Sequence, residues 1–158
     1  MAIQVSECEH ASGVYRVTLP EEWWTNPEFE DPVLGPTSPC QYFGPEPFAA
    51  ERDRQDHAPV GTAISIDYVE GSCIGFVDTV VDSRETTVDG LATEVYETAW
   101  ESTAPPHLYW YVVYVTESGP DCDASFISAA TRREFAGDYD ENKAVLDELM
   151  RSLDVNVP

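Results

Sequence analysis

The stretch His107–Val115, His-Leu-Tyr-Trp-Tyr-Val-Val-Tyr-Val, constrains the fold more than any other part of the chain. Alternation puts Leu108, Trp110, Val112 and Tyr114 on one face and Tyr109, Tyr111, Val113 and Val115 on the other. A strand apolar on both sides belongs at the centre of a sheet that is covered on both faces. The expectation is a layered domain with helices or loops above and below.

Neighbouring segments supply the rest of such a sheet. Val14–Leu19 alternates and stops at Pro20, which lacks the N–H a ladder needs. Cys40–Phe43 reads as a short strand ended by Gly44-Pro45, and Thr62–Val69 as a longer one. After a turn at Val88-Asp89-Gly90 come Leu91–Trp100, His107–Val115 and Ala124–Thr131. Ser72–Val81 carries Ile74, Val77 and Val81 at helical spacing, with Ser72 placed as a cap, and predicts a short helix. The closing helix is written most clearly, over Tyr139–Leu153. Asp138 can cap it with Glu141 three residues on, and Val145, Leu146, Leu149, Met150 and Leu153 form its apolar stripe. Asp147 and Arg151 stand at i, i+4, a spacing for an ion pair. Residues 1–12 are polar and read as loosely ordered, and 13–158 as one domain. Between the strands, Glu21–Pro39 reads as a structured loop and Glu46–Gly61 as an exposed excursion with a helical turn around Ala49–Arg54.

Charge decides which partners are excluded. Thirty acids stand against eight bases, a net of −22. Such a surface repels phosphate backbones and anionic lipid, because nucleic-acid affinity rests on Lys and Arg displacing counterions. The acidity itself fits solubility through self-repulsion, adaptation to high salt, weak divalent cation binding, or docking onto a basic partner. No run of eighteen apolar residues predicts a membrane span. The N-terminus, Met1 to Cys8, shows no basic region followed by an apolar core, although a removed leader or lipid anchor is compatible with that. Cys8, Cys40, Cys73 and Cys122 are even in number, widely spaced and in no CxxC or Cys-His metal pattern. They favour an oxidising, extracytoplasmic compartment, with a cytoplasmic location as the alternative.

Several pieces resemble the PsbP-like superfamily, which includes the extrinsic subunit of photosystem II and a Ran-binding nuclear protein. They are Tyr15-Arg-Val-Thr-Leu-Pro-Glu-Glu-Trp23, Val88-Asp-Gly-Leu-Ala-Thr-Glu-Val95, Tyr111-Val-Val-Tyr-Val115, and the closing helix from Tyr139 to Leu153. The segment Cys40–Phe48, Cys-x-Tyr-Phe-x-Pro-x-x-Phe, is similar to one in small secreted or lipid-anchored bacterial domains of this type. The resemblance implies an α+β fold, a central antiparallel sheet of about six strands sandwiched between helices and covering loops. It also implies a binding or assembly role. It gives no basis for photosystem manganese or calcium chemistry, or for a Ran-binding surface.

Three candidate sites come from the residues themselves. Gly71-Ser-Cys-Ile-Gly75 has the outline of a nucleophile elbow, with Cys73 as the nucleophile and His107 as a base, against a buried thiol or a disulfide as the plainer reading. Asp138-x-Asp140-x-Asn142 starts like an EF-hand loop but has Lys143 and Leu149 where glycine and a bidentate Glu are needed, so capping explains it. Trp23, Trp24 and Phe29 lie in a proline-rich loop and are either a cover for an open end of the sheet or a ledge for a protein or glycan. His10, His57 and His107 are scattered, and no cofactor or metal site is expected. If Cys40–Phe43 pairs antiparallel with Thr62–Val69, Cys40 falls near Cys73, which leaves Cys8 for Cys122. The function expected is a non-enzymatic extracytoplasmic binding or accessory domain. The alternative is a small thiol hydrolase using Cys73 with His107.

Overall fold

The structure is a computed structural model, which describes residues 1–31, 35–50, 58–101, 103–116, 122–132 and 138–156. Twelve strands and one helix run in the order β1 (Glu7–Glu9), β2 (Tyr15–Thr18), β3 (Trp24–Thr25), β4 (Phe29–Asp31), β5 (Gly35–Thr37) and β6 (Tyr42–Gly44). They continue with β7 (Ile64–Ser72), β8 (Thr79–Val88), β9 (Leu91–Ala99), β10 (Leu108–Tyr114), β11 (Ala124–Thr131), α1 (Tyr139–Ser152) and β12 (Asp154–Val155). The main sheet has seven strands in the order β3-β6-β7-β11-β10-β9-β8, every neighbouring pair antiparallel. A smaller sheet, β1-β2-β12, and the β4-β5 ribbon complete it.

The strand apolar on both faces does lie inside the main sheet, between β9 and β11. Its inward side chains Tyr109, Tyr111 and Val113 join Ile127, Ala129, Ile64 and Ile66 in the core. Onto them α1 lowers Leu146, Leu149 and Met150, all at most 2% exposed. Asp138 caps α1, its carboxylate accepting from the Asp140 N–H. Tyr15 of β2 is also fully buried, and its hydroxyl donates to the Cys40 carbonyl at 2.7 Å. That bond ties the small sheet to the approach of β6.

The sandwich between helices is not what forms. Among the described residues α1 is the only helix, so the fold is mostly β, and helix covers one face of the sheet alone. The helix expected over Ser72–Val81 is instead the last residue of β7, an extended crossing and the start of β8. The physical reason is local. Gly71 and Gly75 weaken a helix, the Val and Thr run from Val77 to Val88 favours extended backbone, and the turn that follows demands a strand on each side. In that turn Asp89 and Gly90 sit at φ 50° and 77°, both positive as a two-residue hairpin loop of type I′ requires. Its Asp89 carboxylate accepts the Val155 N–H of β12 at 2.8 Å.

Three other expectations change. The segment 1–12 carries β1, paired with β2, and an Ile3–Thr25 bridge in place of loose order. The loop Glu21–Pro39 contains β3 and the β4-β5 ribbon, organised by buried Asn26, whose Oδ1 accepts from the Gln41 and Tyr42 N–H groups. The cysteines pair as Cys8–Cys40, Cα atoms 5.5 Å apart, and Cys73–Cys122, 4.2 Å apart. The strand pairing assumed for Cys40–Cys73 is present, but its register is Tyr42↔Ser65 and Phe43↔Ile64. Cys40 is thus level with Asp67, while β7 runs on to Ser72. Six further residues of strand carry Cys73 about 20 Å past Cys40 at strand rise, beyond bridging reach. The helical turn around Ala49–Arg54 lies for the most part outside the described residues.

Truncating Leu149, which is fully buried under the sheet, is expected to cost about 2–5 kcal/mol. Urea denaturation of Leu149→Ala measures it, and a loss below about 1 kcal/mol, the level of an ordinary substitution, would unseat the helix packing described here.

Candidate functional site

The opposite face of the main sheet has no helix among the described residues, and it is the face that exposes apolar surface. Alternation places Thr98, Tyr96 and Glu94 of β9, Leu108, Trp110, Val112 and Tyr114 of β10, and Phe126, Ser128 and Ala130 of β11 on it. The register aligns these into rows: Tyr96, Trp110 and Ala130 in one, Glu94, Val112 and Ser128 in the next. Val112, Ala124 and Phe126 form the buried centre, with Tyr96, Trp110, Tyr114 and Val69 around it. Polar tips are satisfied within the face. The Trp110 indole N–H donates to Ser128 Oγ at 2.6 Å, and the Tyr114 hydroxyl donates to Glu94 at 3.1 Å.

One segment crosses this face. Because β7 and β8 lie on opposite sides of three intervening strands, Cys73–Asp78 must pass over β11, β10 and β9 to join them. It forms a strap. Ile74 packs on the buried centre, and Phe76 meets Tyr96 and Trp110 edge-on with centroids 4.7 and 5.2 Å away. Both ends are fastened, the first by the Cys73–Cys122 disulfide and the second by Asp78, whose Oδ2 lies 2.9 Å from His107 Nε2. Between them Val77 is 89% exposed, and just past Ala99, which pairs with Thr79, Trp100 is 65% exposed, an unusual display for large apolar side chains.

Under the strap is a cavity of about 160 Å³, lined by Phe76, Val77, Asp78, Thr98, Leu108 and Trp110 among others. It is close to the roughly 150 Å³ that accommodates benzene in an engineered core, and well below the roughly 300 Å³ where ordinary cofactor pockets begin. Its size suits one large apolar side chain. Thr98 Oγ1 is buried in this wall and, among the described residues, has no hydrogen-bond partner.

The helix-side face carries a polar seam instead. Asp147, expected to pair along α1 with Arg151, accepts hydrogen bonds from the Tyr109 and Tyr111 hydroxyls, each at 2.6 Å, with Arg84 4.0 Å away. Lys143 binds Glu97, and the Tyr139 hydroxyl donates to the same carboxylate. Burial, and then the bond to Asp147, holds the Tyr109 phenol protonated well past its ordinary range and raises that of Tyr111 in the same way. Burial and the neighbouring Glu97 do the same to Tyr139. On the other face burial, followed by the charge of Glu94, pushes Tyr114 up to about 12.

The residues singled out from the sequence fall as follows. Trp23 is half-buried against the main core, and Trp24 and Phe29 pack with Ala2, Tyr42, Phe48 and Ala58 at the β3-β6 end of the main sheet. The structure brings Cys73 and His107 to the two ends of one strap, not to one another. Cys73 is bonded to Cys122, so it offers no thiolate, and His107 is engaged with Asp78. That removes the chemistry of the thiol-hydrolase alternative. Among the described residues no three His, Cys, Asp or Glu are gathered to hold a metal ion. The strap and its cavity were missed because Ser72–Val81 was read as helix. The Asp-Gly turn nine residues on was the signal that could have corrected it.

The sequence matches no family model and no curated protein. Among solved structures the protein is similar to cyanobacterial PsbP (CyanoP) from Synechocystis sp. PCC 6803, determined in solution. The match covers 98% of this chain and 95% of that one, with 11% identity and a TM-score of 0.49. At that distance it is a similarity alone, and the reading of the site is built on the geometry above.

The tyrosines make a pH prediction. Their folded pKa values lie above the unfolded value of about 10, so the folded state binds protons more tightly above that pH. Their stabilisation is complete below about 10 and is lost as pH rises through the folded values, that of Tyr114 by about 12. Unfolding free energy measured across this alkaline range should fall. Tyr109→Phe with Tyr111→Phe should flatten the decline, and an unchanged slope would contradict the seam.

Proposed function

We propose that the protein is a non-enzymatic binding or accessory domain working outside the cytoplasm, and that it holds a partner polypeptide through an apolar side chain seated beneath the strap. The observation that carries this reading is the cavity of about 160 Å³ beside exposed Val77 and Phe76, sized for one side chain. Charge narrows the partner further. Exposed Glu85, across from Glu94 on the same face, and exposed Glu101, next to Trp100, stand beside the apolar patch in a molecule of net −22, so the fitting segment places Lys or Arg beside its apolar anchor. Two disulfides support an oxidising compartment.

A library of displayed random peptides, selected on the oxidised protein, tests it. Enriched sequences should carry a large apolar residue next to Lys or Arg, and their affinity is read by tryptophan fluorescence. Phe76→Ala and Val77→Asp should each weaken them by about tenfold or more, as expected at the centre of an interface. Peptides that bind these variants as well as the native protein, or a selection that enriches nothing, would sink the proposal.

A further inference from the structure

We infer that β8 receives the backbone of this partner as an eighth strand of the main sheet. The inference rests on the polypeptide-binding reading above and deepens it by naming the mode of attachment. Among the described residues β8 is the terminal strand of the seven, paired with β9 on one side only, and Thr79–Glu85 are exposed at every position. Ten residues make it the longest strand of the structure. Long exposed edges are normally shortened, kinked or covered, because their unpaired N–H and C=O groups recruit other chains. Here a single bulge between Val80 and Asp82 interrupts the edge, and Asp82–Val88 beyond it is regular.

Which groups are free follows from the hairpin. Val88 and Leu91 close the two-residue turn, so they exchange both of their hydrogen bonds, and the bonded pairs alternate from there. Val88, Thr86 and Arg84 therefore spend their backbone groups on β9. Ser83, Glu85 and Thr87 turn theirs outward, three residues whose N–H and C=O groups together offer a ladder to an incoming strand.

The side chains say what that strand carries. Glu85 lies directly across from Glu94, and Asp82 across from Glu97, like charges in register on adjacent strands, an arrangement that costs stability. Glu97 is answered by Lys143, and Arg84 is occupied by the Tyr109 hydroxyl at 2.7 Å. The acids of the edge itself thus await a cation from outside. The occupant is an extended segment with Lys or Arg on both of its faces, one lying against Glu85 on the strap side of the sheet and another against Asp82 on the helix side. Its apolar anchor is placed by continuity, since β8 begins two residues after Val77 at the mouth of the cavity. A second copy of this chain fits less well, because two molecules of net −22 repel.

The peptides selected above serve as the probe. Glu85→Pro removes one outward N–H while leaving the bonds between β8 and β9, and edge strands tolerate proline at such a position. It should weaken peptide binding by about tenfold. Glu85→Lys should reverse the preference for basic residues in a repeated selection. Amide exchange on the unmodified protein gives a readout that does not depend on a variant folding. Ser83, Glu85 and Thr87 should become protected when peptide binds. Binding that leaves those amides and the Glu85→Pro affinity unchanged, yet falls with Phe76→Ala, overturns strand addition and keeps the cavity reading. Sensitivity to Glu85→Pro with indifference to Phe76→Ala upholds strand addition and overturns the cavity reading. Protection of the same amides by self-association, without peptide, overturns the assignment of the occupant.

Discussion

One helix cannot cover seven strands on both faces, and the rest of the structure follows from that imbalance. At 14 residues α1 is about 21 Å long, whereas the width of a sheet of this size is roughly 30 Å at the usual strand spacing. The helix therefore takes the inward face, where Leu146, Leu149 and Met150 meet Tyr109, Tyr111 and Val113. The small sheet of β1, β2 and β12 extends the same layer, linked to it by Tyr15 and its bond to the Cys40 carbonyl. Among the described residues nothing equivalent covers the outward face.

What the outward face has instead is aromatic self-cover and a strap. Phe76 meets both Tyr96 and Trp110 edge to face, the geometry that ring quadrupoles favour, and the two lie tilted against each other. Ser128 and Glu94 absorb the indole N–H and the Tyr114 hydroxyl, so the face can be apolar without stranding those donors. The strap is short for its journey, and its two fastenings differ in kind, one covalent and one between a buried carboxylate and an imidazole. A face arranged in this way is organised but not closed. That is the physical basis for treating it as a binding surface and the inward face as architecture.

The sequence was legible wherever local pattern and final environment agree. Ala124–Thr131 is found within its expected bounds, and α1 within one residue of its own, because strict alternation and a capped apolar stripe each have one solution. Strand β8 is hidden by a short apolar run, Ile74, Val77 and Val81, whose spacing satisfies a helix as well as an irregular crossing, and β3 by the prolines of its loop. The Cys8–Cys40 and Cys73–Cys122 bridges were misassigned for a related reason: they depend on register, and register depends on how far β7 extends. Two-sided burial of His107–Val115 was correctly read as central, but periodicity cannot say whether the cover is helix, loop or neighbouring rings. The site was illegible on that account. Its parts come from β8, β9, β10 and the strap, and no single window of sequence contains them.

The bond between the Asp89 carboxylate and the Val155 N–H has a consequence for the cost of recognition. A hairpin of this length, with one strand in solvent, ordinarily frays and twists at its tip. Here the tip is held by the last strand of the chain, while the base of β8 is held by Asp78 against His107. Both ends of the edge are thus fixed before anything arrives. An edge held at both ends has little backbone freedom left to lose, so the ordering cost of pairing another strand with it is small on this side.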